Sequence, residues 1–504
     1  MALTTSGHQY PTQSISVDPF PADFGSLFPA PPGLIENDWP PTQVTYLGIY
    51  LGVLGCRTIV TESHYIDRDF IHDAALFYAR SLRSYPNFCQ RVHFFSAEFD
   101  ADKWRELITS VTDRAQRAKL LQESYLGFCV IRPLSGAPIG RTVLSTLGGI
   151  NAEGLGRAFG AVRDYMVHLA GFQLNVKGLA FQQQDQGVSA CATTALWSAL
   201  QKVSESEHLA IPTPAQITEG ASRYMLADGR ALPSEGLNIQ QLCEACRASG
   251  LEPLVIRSVN LAQARAQLLG YLDSELAPVL AIQPVDGSDG HAICGVGLKL
   301  EAVVPPADPN LNYRDASTAV RGLYVHDDRL GPYAYAELGS WTLKDGTIGA
   351  SLRIQWPDKA PAEDSILRAI IVPLPAKLRM PISRIRYLGM RLAEAVGDAF
   401  SEFSRDITFN CRYRLGVAYQ DMAVGFGLTS DGLYSLNCET VLSRYIGVIE
   451  MTLTKGPLFD VLLDATETRA NPSVLAFVRR SEFPERHKKS FHLIAKNCGA
   501  KVIW

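Results

Sequence analysis

The chain lacks a hydrophobic run long enough to cross a bilayer. Its longest, Tyr46 to Gly55, falls well short of the roughly 20 residues a spanning helix needs. It also lacks a basic tract. With 47 Lys and Arg against 51 Asp and Glu, the formal net charge is −4, which excludes the electrostatic footprint of a nucleic-acid-binding protein. The small patch of Arg479, Arg480 and Arg486 to Lys489 reads as solvated surface. The first residues, MALTTSGHQYPTQS, have neither a charged start nor an apolar stretch, so no secretory signal is expected. The ten cysteines follow no regular spacing, which argues against a disulfide framework and for a reducing, cytoplasmic setting. There is no phosphate-binding glycine loop: Gly148-Gly149 and Gly154-x-Gly156 lack the strand–turn–helix context that such a loop requires. Internal repeats and coiled-coil heptads are absent as well.

What remains is the composition of an ordinary soluble enzyme. The 504 residues, 47% hydrophobic and 19% charged, suggest two to four domains. Residues 1–42 are proline-rich and read as an arm, because proline removes a backbone donor and breaks helices and central strands. Residues 43–174 read as a mixed α/β region. It holds VTYLGIYLGVLG as a strand or short buried element, a helix over Asp69 to Ser84 and a second helix over Asp102 to Glu123. Residues 376–504 read as an α+β domain. A helix over Pro381 to Phe403 precedes strands at CRYRLGVAY, TVLSRYIGVIEMTL, FDVLLDAT, VLAFVRR and FHLIAK.

The chemistry lies between them, in residues 175–375. In FQQQDQGVSACATTALWSAL, Ala192, Ala195, Leu196, Ala199, Leu200 and Val203 recur at helical spacing. Cys191 therefore stands at a helix N-terminus, where free N–H groups and the dipole favour a thiolate. Gln186, five residues earlier, could aim a side-chain N–H at the same point as the Cys191 N–H, and two such donors make an oxyanion hole. Downstream, Ala277 to Val285 reads as a buried strand and Asp286 to Gly290 as a turn, with His291 opening the next strand. A third segment, GLYVHDDRLGPYA, is a strand ending in Asp327 and Asp328. A carboxylate there could fix the imidazole tautomer.

DQGVSACATTAL, GHAICGVG and YVHDDRLG, in that order, resemble the motifs of the papain-like cysteine peptidase superfamily. The nearer likeness is to the bacterial bacteriocin-processing peptidases of ABC exporters. The resemblance covers about residues 175 to 375. It implies an α+β fold in which a helix bearing Cys191 packs on an antiparallel sheet bearing His291 and Asp327, flanked by N- and C-terminal mixed α/β regions. It implies Cys191 as nucleophile, His291 as general base and acid, Asp327 as orienting residue and Gln186 as oxyanion donor, with no metal and no cofactor. The family usually places its glutamine six residues before the cysteine. Here that position is Asp185, and Gln184 is a second candidate. Asp327 is preferred to Asp328 because it completes Asp-x-x-x-Gly with Gly331. The implied substrate is a protein or peptide, and the flanking regions could dock a regulatory partner.

Other readings compete. The same triad can run acyl transfer, deamidation or removal of a conjugated peptide, or the core can be inert and serve as a binding or assembly module. Glu62, His64, Asp67, Asp69, His72 and Asp73 form a polar cluster that reads as helix-capping acids before it reads as a metal site. Cys243 and Cys246 form a Cys-x-x-Cys without a second pair; on a helix they are one turn apart. Residues 301–320 are a polar insertion expected near the cleft.

Overall fold

Alternation of apolar and polar residues builds three antiparallel bodies along the chain. The computed structural model describes residues 14–504 apart from 29–39, 81–84, 112, 135, 151–154, 186–189, 224–235, 307, 357–361, 469–472 and 481–484.

The first body is a five-stranded antiparallel sheet in sequence order. Its elements are β1 (Ile15–Pro19), α1 (Thr42–Val53), β2 (Thr58–Tyr65), α2 (Arg68–Leu76), β3 (Cys89–Phe95), α3 (Ala101–Thr109), α4 (Arg114–Ser124), β4 (Tyr125–Ile131) and β5 (Ile139–Leu144). The proline-rich arm supplies β1 as an edge strand, the one position in a sheet where Pro19 costs no ladder bond. VTYLGIYLGV is a helix, not a strand: Val44, Leu47, Tyr50 and Leu51 are its buried residues, at spacings of three and four. The expected helix over Asp102 to Glu123 is two helices. Val111 at the break is 99% exposed, and Asp113, at φ +49°, starts α4 by accepting the Gln116 N–H. Asp tolerates that left-handed conformation better than most residues.

A link follows, β6 (Gly149–Ile150), β7 (Gly156–Ala158) and the hairpin β8 (Arg163–Leu169) to β9 (Phe172–Gly178). The expected boundary at 174/175 falls inside β9.

The second body holds α5 (Cys191–Ser206), α6 (Pro214–Ala221), α7 (Ile239–Ala248), β10 (Leu251–Arg257), α8 (Leu261–Leu272), β11 (Val279–Pro284), β12 (His291–Leu300), β13 (Arg314–Asp315), β14 (Val320–Asp327), β15 (Gly331–Thr342), β16 (Ile348–Ile354) and β17 (Glu363–Pro375). Strand pairing runs β11–β12–β14–β15–β16–β17 and returns from β17 to β11, every pair antiparallel. The ring leaves β10, which carries Pro253, as an outer strand on β17. On its other edge, β12 passes from β11 to β7 along its length. Helix α5 is buried on nearly every side, as a core helix must be, and packs on β11, β12, β14 and β17.

The third body contains α9 (Ile382–Ala399), β18 (Thr408–Leu415), α10 (Gly416–Ala423), α11 (Ser430–Tyr434), β19 (Tyr445–Leu453), β20 (Gly456–Asp464), β21 (Val474–Arg479), α12 (Lys488–Asn497) and β22 (Lys501–Ile503). β18 to β21 are antiparallel, with β13 and β22 added in parallel at the two edges. β19 shows why both faces are covered: Tyr445, Ile449 and Met451 enter the main core, Ile446 and Val448 a smaller one with Tyr419 and Leu436. This is the strand period of two. FHLIAK lies in α12, where Phe491 and Ala495 are buried four residues apart. The 301–320 insertion corrects the expectation that it borders the cleft. It leaves β12 at the end opposite His291, nine residues along and so about 30 Å away at ~3.3 Å per residue. From there it supplies β13 to the third sheet, with Asp315 bound to Arg386.

Candidate active site

The antiparallel register of β12 and β14 pairs Cys294 with His326. The start of one strand therefore lies beside the end of the other, and His291 meets Asp327 although 36 residues separate them in sequence. His291 Nε2 is 2.9 Å from Asp327 Oδ1 and 3.5 Å from Asp328 Oδ1, so Asp327 is the nearer carboxylate. Nε2 is thus engaged, Nδ1 is the other ring nitrogen, and the Cys191 thiol is among the groups that favour the charged imidazole.

Cys191 is the first residue of α5 and is half-buried. The preceding cap residue is Ala190, which offers no side-chain acceptor to the first turn. The free N–H groups there remain to be satisfied by something else. Six of the other cysteines, Cys56, Cys89, Cys129, Cys246, Cys294 and Cys411, are small buried side chains, whereas Cys243 and Cys498 are half-buried and Cys438 is exposed. Burial pushes the thiols of Cys56 and Cys129 up to about 12, and raises those of Cys89, Cys246, Cys294 and Cys411 further.

The charges around the imidazole are unusual. Burial opposes a charge on His291, but the Asp327 charge and hydrogen bond, the Cys191 hydrogen bond and the Asp328 charge outweigh it. The imidazole is raised to about 10. Burial would raise Asp327, yet His291 and Arg329 hold it well below the carboxylate range. Burial raises Asp328 to about 7, the Asp327 charge adding to it against the pull of His291. The balance favours an imidazolium beside an ionised Asp327, with the Asp328 carboxyl shifted up towards neutral pH.

Arg329 was not singled out from the sequence. Its Nε and Nη2 donate to the two Asp327 oxygens at 3.2 and 3.0 Å, and Nη2 also reaches Glu363 at 3.1 Å. The sequence signal was its place two residues after the aspartate, inside the turn. His291, Asp327 and Asp328 present donor atoms within 4.8 Å of one another, close enough for a cation. The Arg329 guanidinium binds both Asp327 oxygens, while Asp328 Oδ2 is buried without a hydrogen-bond partner among the described residues.

No protein-family model matches the chain, and no curated protein matches it. The residues of the site therefore carry the functional reading.

The remaining sequence candidates separate cleanly. Gln186 lies outside the described residues, and Gln184 is half-buried. The cluster between Glu62 and Asp73 is dispersed. Glu62 binds Arg91 and His93, and His64 stacks on Phe88. Asp67 caps α2 and pairs with Arg141. His72 bonds Thr213 at 2.6 Å, and Asp73 accepts the Ala215 N–H at 3.0 Å. Cys243 and Cys246 share α7, half-buried and buried. Among the described residues, no helix is long and apolar enough to cross a membrane.

Proposed function

We propose that the protein is a cysteine-dependent amide hydrolase, a peptidase built on a papain-like core, with a protein or peptide as substrate. The observation that carries this reading is the convergence on one imidazole of a helix-N-terminal thiol and a buried carboxylate, from three separated segments. The thiolate of Cys191 attacks the carbonyl carbon, and the developing oxyanion takes the Cys191 N–H. His291 gives its proton to the leaving amine. The thioester is then hydrolysed by a water from which His291 takes a proton. Asp327 keeps the ring oriented and offsets its charge, and Arg329 fixes Asp327 in turn. The motif order resembles that of the bacteriocin-processing peptidases, which supports this reading, and a cytoplasmic setting would keep the thiol reduced.

The test is a peptide library derived from a bacterial proteome, incubated with wild type and with Cys191→Ala and read by mass spectrometry. New termini that need Cys191, with a hydroxylamine-labile adduct on that residue, are the expected result. Mass gains of 1 Da at glutamine, or ligated products without new termini, would assign the same triad to deamidation or transfer. No Cys191-dependent product of any kind would leave an inert core.

A further inference from the structure

The segment leading to Cys191 does not rest on the second body alone. Phe181 exchanges two backbone hydrogen bonds with Thr142 of β5, at 2.8 and 2.9 Å, and the Gln183 N–H reaches Ile139 O at 3.0 Å. Phe181 to Asp185 is thus laid along the edge of the N-terminal sheet. Arg132, directly after β4, fastens it there. The side chain is 3% exposed. Nε and Nη2 donate to Ala137 O at 3.0 and 2.7 Å, Nη2 donates to Gln183 O at 2.9 Å, and Nη1 lies 3.6 Å from Asp185 Oδ2. A buried guanidinium is a poor choice for stability alone, because a well-packed apolar group serves as well. Its planar fork does fix the position of the groups it binds. Here those groups are the carbonyl of Gln183 and the carboxylate of Asp185, eight and six residues ahead of Cys191.

We infer that Arg132 is a positioning residue for the Cys191 site: by holding Gln183 and Asp185 it fixes the backbone on both sides of Gln184, a candidate oxyanion donor, and so makes the N-terminal region a working part of the catalytic centre. This rests on the thiol chemistry proposed above. The region has a second hold on the site. Gln43 Nε2 of α1 donates to Asp328 O at 3.1 Å, and the Tyr46 ring packs against Gly331 at the end of the Asp327 turn. One N-terminal body therefore holds both the segment leading to Cys191 and the turn after Asp327.

The test uses the full chain and two probes that make different demands on the site. Iodoacetamide needs only a thiolate: sulfur displaces iodide and no oxyanion forms. p-Nitrophenyl acetate needs the oxyanion donors: sulfur adds to the carbonyl, p-nitrophenolate leaves and an acetyl thioester remains on Cys191. Arg132→Gln should slow acetylation of Cys191 about 100-fold, the scale of a small misplacement, and change its iodoacetamide rate by no more than about twofold. Arg132→Lys should recover part of the loss. Equal slowing with both probes, or no slowing with either, overturns the inference. If Arg132→Gln does not fold, Asp185→Asn is read by the same split, with a smaller expected loss of about 10-fold. A wild-type Cys191 no more reactive than the other thiols sinks the thiol reading and this one with it. A reactive Cys191 with an unsplit response sinks this one alone.

Discussion

At the scale of single residues, the site is a charge balance, and it predicts how stability follows pH. The His291 imidazole is raised from 6.5 to about 10. Its stabilising contribution is fully present below pH 6.5 and is lost as pH rises through 10. Asp327 is depressed from 3.8, so its contribution is present above that value and lost as pH falls below it. Asp328, raised from 3.8 to about 7, works in the other sense: its contribution is lost as pH rises from 3.8 through 7. The urea midpoint of wild type should therefore fall between pH 7 and 10 relative to His291→Gln. The fall between pH 4 and 7 should shrink in Asp328→Asn. Parallel curves for wild type and His291→Gln above pH 7 would contradict the ion-pair assignment. Asp327→Asn leaves the shape but removes the charge, and on the proposed function should lower kcat/KM on the order of 10²- to 10⁴-fold, measured on any peptide whose cleavage depends on Cys191. Cys191, His291 and Asp327 were legible in the sequence because each stands at an element boundary that local composition marks. Arg329 and Arg132 were not. Their partners come from turn geometry and from another sheet, and an arginine in a loop carries no local sign of burial.

At the scale of elements, close approach decides what the Asp327 turn tolerates. A Cβ on Gly331 would lie 2.3 Å from Tyr46 Cδ1, a contact no side chain can accept without movement. Gly331→Ala should cost about 1–3 kcal/mol, read by denaturant unfolding, and should disturb the Asp327 turn enough to alter the pH dependence of Cys191 alkylation. Tyr46→Ala in the same chain should restore part of both, because it removes the ring that the new methyl meets. An unaltered profile in Gly331→Ala would show that α1 does not set the turn. The legibility of elements followed burial. β12 was placed from His291 to Leu300 because an apolar run bounded by a turn admits one reading. The α12 stretch FHLIAK was read as a strand, and α1 as a strand or short buried element, because short apolar runs suit either period until packing selects one. Buried pairs at Val44/Leu47 and Phe491/Ala495 make that selection, and it is tertiary information.

At the scale of the whole molecule, the three bodies share one main core that runs from Phe24 to Ala495. The β7–β12 pairing ties the link to the second body, and β13–β18 ties the third to it. Residues 175–375 expressed alone should fail to give a cooperative, native-like fold, because this removes the β5 edge under Phe181–Asp185 and α1 over the Asp327 turn. Circular dichroism melts of that fragment against the full chain test this. A sharp transition in the fragment would mean that the flanking bodies are dispensable. Length and composition suggested two to four domains, whereas the three sheets share one main core. The stitching was not legible, since a two-residue strand such as Arg314–Asp315 leaves no periodic trace.

The central claim is a reactive Cys191–His291 pair. Site-resolved alkylation tests it most directly: a limiting dose of iodoacetamide on the native protein, followed over pH by mass spectrometry, in wild type and His291→Ala. The account predicts that Cys191 is modified first, at pH values well below the roughly 8.5 of a free thiol, and that His291→Ala abolishes the preference. A Cys191 that reacts no faster than the exposed Cys438, or one whose reactivity does not depend on His291, would contradict it.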